Sequence, residues 1–397
     1  MPKLAIFEQI ADELAHKKAQ SLYRSRRVLD SPQGARVQLN GREVLNFCSN
    51  DYLGLANHPA VVAAAQQGAA EWGVGSGAAH LVTGHFTPQH TLEERLAAFS
   101  GKPAAILVST GFMANLAVIP ALLGRGDAVF ADKLNHASLN DACQLARAEF
   151  KRFAHNDVAQ LERLLAESSA KRKLIAVDAV FSMDGDIAPL ADCLVLAERY
   201  DALLYIDDAH GFGVLGNGRG TLAELGINSP RIIYMATLGK AAGVAGAYIA
   251  AEQVVIDYLI NTARAYIYTT AAPPLLACAL HASLDVIEHD VERRERLKAH
   301  IQYFKQFFAT ELAGSACELL PSDTAIQPII VKDNAAALAL SQALLDAGLL
   351  VAAIRPPTVP TPRLRVTLSA AHSAAEVALL CEQIKRVLLA AEESQPC

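Results

Sequence analysis

Lys240 stands in "YMATLGKAAGVAGAYIAA" (234–251), with no other charged residue between Arg231 and Glu252. A lone lysine on an apolar surface can lay its stem along that surface and keep its ammonium in water. Held among small residues and partly desolvated, it can instead form a Schiff base or carry a proton. The choice depends on what else the chain delivers nearby. Asp207 and Asp208 end the apolar run "ALLYID", and His210 follows three residues beyond Asp207. Ser182 follows "KLIAVDAVF", His136 follows "DAVFAD", and Thr237 follows "RIIYMA" just ahead of Lys240. Gly111 and Phe112 open a helix-like stretch after "AAILVS". Five apolar runs each end on a group able to do chemistry, and in open α/β sheets ligands bind beyond the carboxyl ends of the strands.

One cofactor would use all of them. Pyridoxal 5'-phosphate (PLP) needs a lysine, a carboxylate opposite its pyridine nitrogen, an aromatic ring over its face and donors for its phosphate. Asp207 can hold that nitrogen protonated, because a charge pair at about 4 Å and an effective dielectric near 20 is worth about 4 kcal/mol, or about three pKa units on the nitrogen. Ala209 is small enough to lie under the ring, and His136 can stack over it. The backbone N–H groups of Gly111 and Phe112, at a helix N-terminus, suit a phosphate. Glycines 211, 213 and 216 also spell GxGxxG, but they follow Asp-Asp-Ala-His and open no helical pattern. A dinucleotide site is therefore not expected.

The elements that must position these residues can be read from periodicity. Strands are expected at 104–109, 127–132, 173–181, 202–207, 231–236 and 246–250, separated by segments with apolar residues at three- and four-residue steps. That pattern predicts an α/β fold with a large, mostly parallel sheet. Asn40-Gly41 between two alternating runs predicts a tight hairpin. Helical patterns run from about Pro274 to Glu311. "AIQPIIV", "GLLVAAI", "RLRVTL" and a closing helix then predict a smaller α+β C-terminal domain. The expected division is an N-terminal helix and hairpin segment (1–50), a large domain (51–290) and the small domain (291–397). In "RLRVTL", Arg363 and Arg365 share one strand face, and Arg363 is expected to be a solvated surface arginine on an edge strand.

Of the 397 residues, 52% are hydrophobic and 19% charged, and the net charge is -6. This suits a buried globular enzyme and leaves no electrostatic footprint for nucleic acid. The first twenty residues carry Glu8, Asp12 and Glu13 within an apolar pattern, which predicts an amphipathic helix rather than a signal peptide. No run of eighteen apolar residues is free of charge, so no membrane span is expected. The seven cysteines are scattered without a CxxC, which points to a reducing, cytoplasmic setting and predicts no metal site.

The stretches "NFCSNDYLGL", "GSGAAHLVTGH", "STGFMAN", "LNHASL", "VFSMDGDIAPL", "DDAHGFGVLG" and "TLGKAAG" resemble, in order, those of the α-oxoamine synthases. These are PLP enzymes of the aspartate aminotransferase fold (fold type I). The resemblance covers nearly the whole chain and implies a PLP-dependent acyltransferase. "KRFAHNDV", "TAIQPIIV" and "AIRPPTVPTPRLRVTLSAAH" resemble the members that condense L-alanine with a pimeloyl thioester in biotin biosynthesis. The alternatives are a member using glycine or serine with another acyl-CoA, or an aminotransferase. A catalytically silent subunit is disfavoured by the presence of Lys240.

By the same resemblance, Lys240 carries the cofactor and then acts as base. Asp207 pairs with the pyridine nitrogen, His136 stacks on the ring, and Ser182 and His210 contact the phenolic oxygen. Thr237 helps hold the phosphate. Asn50 and Arg365 hold the alanine carboxylate, with Arg365 expected in a cleft between domains, and Arg24 faces the acyl group. The family's sites lie across a homodimer interface, and "YTTAAPP" implies Thr270 (or Thr269) as a phosphate donor in trans. Two departures stand out: Ala78-Ala79-His80 where relatives carry a Gly-Ser-Arg-like trio, and Asp178 where they carry glutamate. The shorter Asp178 is expected to reach His136 less well.

Overall fold

Alternating apolar runs and helical periods between residues 104 and 251 build a seven-stranded sheet in the computed structural model, which describes residues 4–315 and 317–393. The strands are β1 (Ala104–Val108), β2 (Ala128–Asp132), β3 (Glu149–Phe153), β4 (Lys173–Asp178), β5 (Leu203–Asp207), β6 (Ile232–Thr237) and β7 (Ala247–Ala251). Their spatial order is β1-β7-β6-β5-β4-β2-β3. From β6 to β3 every pairing is parallel, while β7 pairs antiparallel with both β1 and β6. β2 and β7 are buried throughout, which is why they read as continuous apolar runs rather than alternations.

Six of these strands lie where periodicity expects them. β3 has no such signal: "EFKRF" sits at the sheet edge and only Phe153 is fully buried. An edge strand with one neighbour can be charged, and charge there discourages pairing with other chains.

The chain divides into two units, residues 50–296 and residues 1–49 with 297–397. The unit of residues 50–296 holds the seven-stranded sheet. In the other, residues 36–39 and 42–46 form the hairpin, with Asn40 and Gly41 both at positive φ (52° and 73°) as a type I′ turn requires. Residues 349–350 add a parallel third strand to it. A separate four-stranded antiparallel sheet comprises residues 318–319, 326–330, 363–367 and 352–354, in that order. The strand Arg363–Thr367 is interior, paired on both sides, and all five residues are buried. Arg363 is therefore not the solvated edge residue expected from alternation; it is 3% exposed.

The first helix, Ala5–Ala19, buries none of its residues, so Phe7, Ile10 and Leu14 form an exposed apolar stripe. Met1–Lys3 and Cys397 lie outside the described residues. Among those described, no helix is long and apolar enough to cross a membrane.

The loop that carries Lys240 is pinned by close packing. Gly243 (φ +70°) lies against the backbone of Leu55 and Ala56, so that a Cβ would stand 2.4 Å from Leu55 C and Ala56 N. Those two residues are in turn held by the Asp51 carboxylate, which accepts the Leu55 and Ala56 N–H groups at 2.7 and 3.1 Å. Gly41, with a similar φ, has nothing within 4 Å of its Cβ position. Gly243→Ala combines left-handed strain with a backbone clash and is expected to cost roughly 2–4 kcal/mol. Gly41→Ala carries the strain alone, about 1–2 kcal/mol. Denaturant unfolding of both variants checks this; equal losses would show that the clash is relieved without cost.

Candidate active site

The carboxyl ends of β1, β2, β4, β5 and β6 converge on a cavity of about 170 Å³. Gly111 and Phe112 line it after β1, His136 and Ser138 after β2, and Asp178 and Ser182 at and after β4. Asp207, Ala209 and His210 come from β5, and Met235, Thr237 and Lys240 from β6. Eight of the residues expected to act together thus surround one space.

Two adjacent carboxylates at the end of β5 have separate fates, because successive strand residues point to opposite faces. Asp208 faces away from the cavity, fully buried, and accepts from Thr221 N, Thr221 Oγ1 and Tyr234 Oη at 2.7, 2.6 and 2.8 Å. Burial pushes it up to about 6 against those bonds, and its work is structural. Asp207 lines the cavity, with Oδ1 accepting the Ala209 N–H at 3.1 Å and Oδ2 accepting Asn115 Nδ2 at 3.0 Å.

Asn115 is one of the residues that sequence reading missed, with Ser138 and Tyr52. It lies four residues after Gly111 on the helix Gly111–Leu122, hence on the same face. Its Nδ2 also donates to Ser138 Oγ (2.8 Å), and its Oδ1 accepts from Tyr205 Oη (2.7 Å). Ser138 Oγ, accepting from Asn115, directs its own proton to His136 Nδ1 at 2.7 Å. The Ser138 N–H also points at that nitrogen, at 3.3 Å. His136 therefore carries its proton on Nε2, and burial holds its imidazole below the ordinary range despite the opposing pull of Asp207. A neutral ring results.

Asp178 meets His136 through the backbone, not the ring: its Oδ2 accepts the His136 N–H at 2.6 Å. Burial first, then the charge of Asp207, pushes the Asp178 carboxyl well above the usual carboxylate range. One buried negative charge beside the cavity disfavours a second.

Also on this cavity, Lys240 Nζ lies 2.7 Å from His210 Nε2, and His210 Nδ1 lies 2.6 Å from Tyr52 Oη. Tyr52 donates to Asn50 Oδ1 at 3.2 Å. With its proton so committed, Tyr52 accepts from His210 Nδ1, which leaves the Nε2 lone pair for the Lys240 ammonium. Gly111 and Phe112 open the Gly111–Leu122 helix at the cavity, and its N-cap Thr110 accepts the Met113 N–H at 3.1 Å. The Thr237 hydroxyl donates to Gly246 O at 3.1 Å.

The remaining expected site residues are not part of this cavity's lining. Thr270 is exposed. Arg24 and Arg365 belong to the unit formed by residues 1–49 and 297–397. Arg24 Nη2 donates to Thr358 Oγ1 at 2.8 Å. Arg365 is 5% exposed, and its Nη1 donates to Thr367 Oγ1 at 3.1 Å. In the Ala78-Ala79-His80 segment, Ala78 O accepts the Ala271 N–H (3.0 Å), and His80 stacks on Tyr266 with ring centroids 5.0 Å apart.

The model of the aminotransferase class I and II family matches residues 42–384. Over 383 residues the chain is 56% identical to the 8-amino-7-oxononanoate synthase of Nitrosospira multiformis, covering 96% of each chain. Among solved structures it is similar to serine palmitoyltransferase from S. paucimobilis with a bound PLP–myriocin aldimine (TM-score 0.91, 28% identity, 98% of this chain and 99% of that one). It is likewise similar to the 8-amino-7-oxononanoate synthase of Francisella tularensis (TM-score 0.76, 30% identity, 88% and 99%).

The loop that ends at His136 is anchored from below. Asp132 accepts the N–H groups of Leu134 and Asn156 at 2.8 and 2.7 Å. His155 joins Asp132 (3.2 Å) to Asp186 (2.9 Å). Burial alone lowers the His155 pKa, but hydrogen bonds to Asp132 and Asp186, with their charges, outweigh it and raise it to about 10. A raised folded-state value stabilises fully below the unfolded value near 6.5 and is lost as pH climbs through the folded one. His155→Gln is therefore expected to destabilise the protein clearly at pH 6 and much less at pH 10. Denaturation curves at the two pH values check this; an equal loss at both would contradict the ion-pair account.

Proposed function

The chain belongs to the aminotransferase class I and II family, in its 8-amino-7-oxononanoate synthase branch, and on that premise we propose that it joins L-alanine to a pimeloyl thioester, releasing CO2, the free thiol of the acyl carrier and 8-amino-7-oxononanoate. PLP is its cofactor, and the cavity fits that group. An amine, a carboxylate and a neutral imidazole face one space. At the phosphate end, a Cβ on Gly111 would meet nothing nearer than 3.8 Å (Met235 Cε and Thr237 Cβ), so a phosphate can approach the backbone there.

When bound, PLP supplies a pyridinium ring into which the electrons of a broken Cα bond can spread. In this reading Lys240 Nζ is the attachment point, and once alanine has taken that place it is the base that removes the Cα proton. His210, on the same nitrogen at 2.7 Å, steers the amine and, with Ser182, binds the phenolic oxygen. Asp207 keeps the pyridine nitrogen protonated. Asn115 fixes the carboxylate, and His136 covers the ring. Gly111, Phe112 and Thr237, with Thr270 of the partner subunit, hold the phosphate. Asn50 and Arg365 grip the alanine carboxylate, where a guanidinium supplies a two-pronged hydrogen bond that an ammonium cannot. Arg24 meets the acyl group. The homodimer that Thr270 requires is supported by the exposed Phe7, Ile10 and Leu14 stripe, since an uncovered apolar face favours association.

The observation that carries this reading is the placement of Lys240 and Asp207 on one cavity with Gly111 at a helix start. Mass analysis after mixing the PLP-loaded protein with alanine and pimeloyl-CoA is expected to show 8-amino-7-oxononanoate, and borohydride reduction to fix the cofactor's mass to Lys240. Lys240→Ala is expected to lower turnover by at least about 10²–10⁴-fold. Turnover only with glycine or serine would move the chain to another member's reaction, and label on another lysine would remove the site assignment.

A further inference from the structure

We propose that His85, His90 and Glu93 form a zinc-binding site of the two-histidine, one-carboxylate kind. None of the three lines the cavity described above. Their ligand atoms all lie within 4.8 Å of one another. His90 and Glu93 are three residues apart on the helix Thr87–Phe99 and so share a face. His85 comes from the turn just ahead of it.

The distances suit tetrahedral coordination. With zinc–nitrogen and zinc–oxygen bonds of about 2.0–2.1 Å, neighbouring ligands stand about 3.3 Å apart. His85 Nε2 lies 3.2 Å from His90 Nδ1 and 3.8 Å from Glu93 Oε2. Two imidazoles with one carboxylate favour zinc or a similar borderline cation over calcium or magnesium, which take oxygen ligands.

The groups behind the ligands are also in place. Glu93 Oε1 accepts the Leu107 N–H at 2.7 Å, which leaves Oε2 to face His85. A His85 ligating through Nε2 carries its proton on Nδ1, and that nitrogen has an acceptor 3.1 Å away in His80 Nδ1. The His80 ring is itself held by its stack on Tyr266, 11° from parallel. A metal-bound histidine whose second nitrogen donates to a fixed acceptor is the usual support for such sites. Glu93 is buried while His90 is exposed, so a fourth position is open to water. The sequence spacing, five positions from one histidine to the next and three from His90 to Glu93, matches no familiar metal motif.

The competing arrangement is a metal-free chain of imidazoles linked by ring hydrogen bonds, and metal titration separates the two. The PLP-loaded protein, stripped with a chelator and dialysed against zinc chloride, is expected to retain one equivalent per chain. Cobalt(II) in its place is expected to give the intense visible absorption of tetrahedral coordination. His90→Gln and Glu93→Gln should each weaken zinc binding at least tenfold with PLP content and melting temperature unchanged. Glu93→Gln keeps an acceptor for the Leu107 N–H, and the exposed His90 decides the matter if it does not fold. His80→Phe keeps a ring on Tyr266 but removes the acceptor, and should weaken binding by about 10–100-fold. Zinc retention equal in the wild type and His90→Gln, or no retention by the wild type, overturns the proposal.

Discussion

A carboxylate buried at the end of a parallel strand has few places to put its charge, and the site is arranged around that of Asp207. Removed from water and unpaired, an ionised group costs several kcal/mol. Here Asn115 and the Ala209 N–H answer it from the protein side, and its proposed partner is the protonated pyridine nitrogen. Its charge also acts on the neighbours. Asp178 is held toward its neutral form by burial first and then by the Asp207 charge, while His136 is kept neutral by burial against the pull of that same charge. The hydrogen-bond chain from Tyr205 through Asn115 and Ser138 to His136 ties the His136 ring and the Asp207 carboxylate into one unit.

The second constraint is room. Lys240 lies among glycine and alanine because its loop must pass close to other backbone. Gly243 sits on Leu55 and Ala56, and the same short segment that Asp51 organises presents Tyr52 to His210. Thus "NDYLGL", far from Lys240 in sequence, both buttresses the lysine loop and orients the histidine that touches its amine.

Much of this was legible in the chain itself. Buried parallel strands announce themselves as apolar runs, and the polar residue after each run must fall at the sheet's carboxyl edge. That logic alone gathers Gly111, His136, Ser182, Asp207, His210, Thr237 and Lys240. What stayed hidden depends on side-chain direction. Asn115 and Ser138 look like ordinary helix residues until the helix face is known, and Tyr52 reads as one more apolar residue of its segment. β3 is charged because it is an edge, so its sequence resembles a loop. Arg363 was misplaced because alternation reports which residues share a face, not whether that face is covered; the strand is paired on both sides.

The proposed role of Asp207 can be read directly from the cofactor. PLP labelled with ¹⁵N at the ring nitrogen, bound to the wild type and to Asp207→Asn, reports by its NMR shift whether that nitrogen carries a proton. The expected result is a pyridinium nitrogen in the wild type and an unprotonated one in Asp207→Asn, since an amide supplies no charge to hold the proton. A protonated nitrogen in both proteins, or in neither, would contradict the claim that this buried carboxylate sets the electronic state of the site.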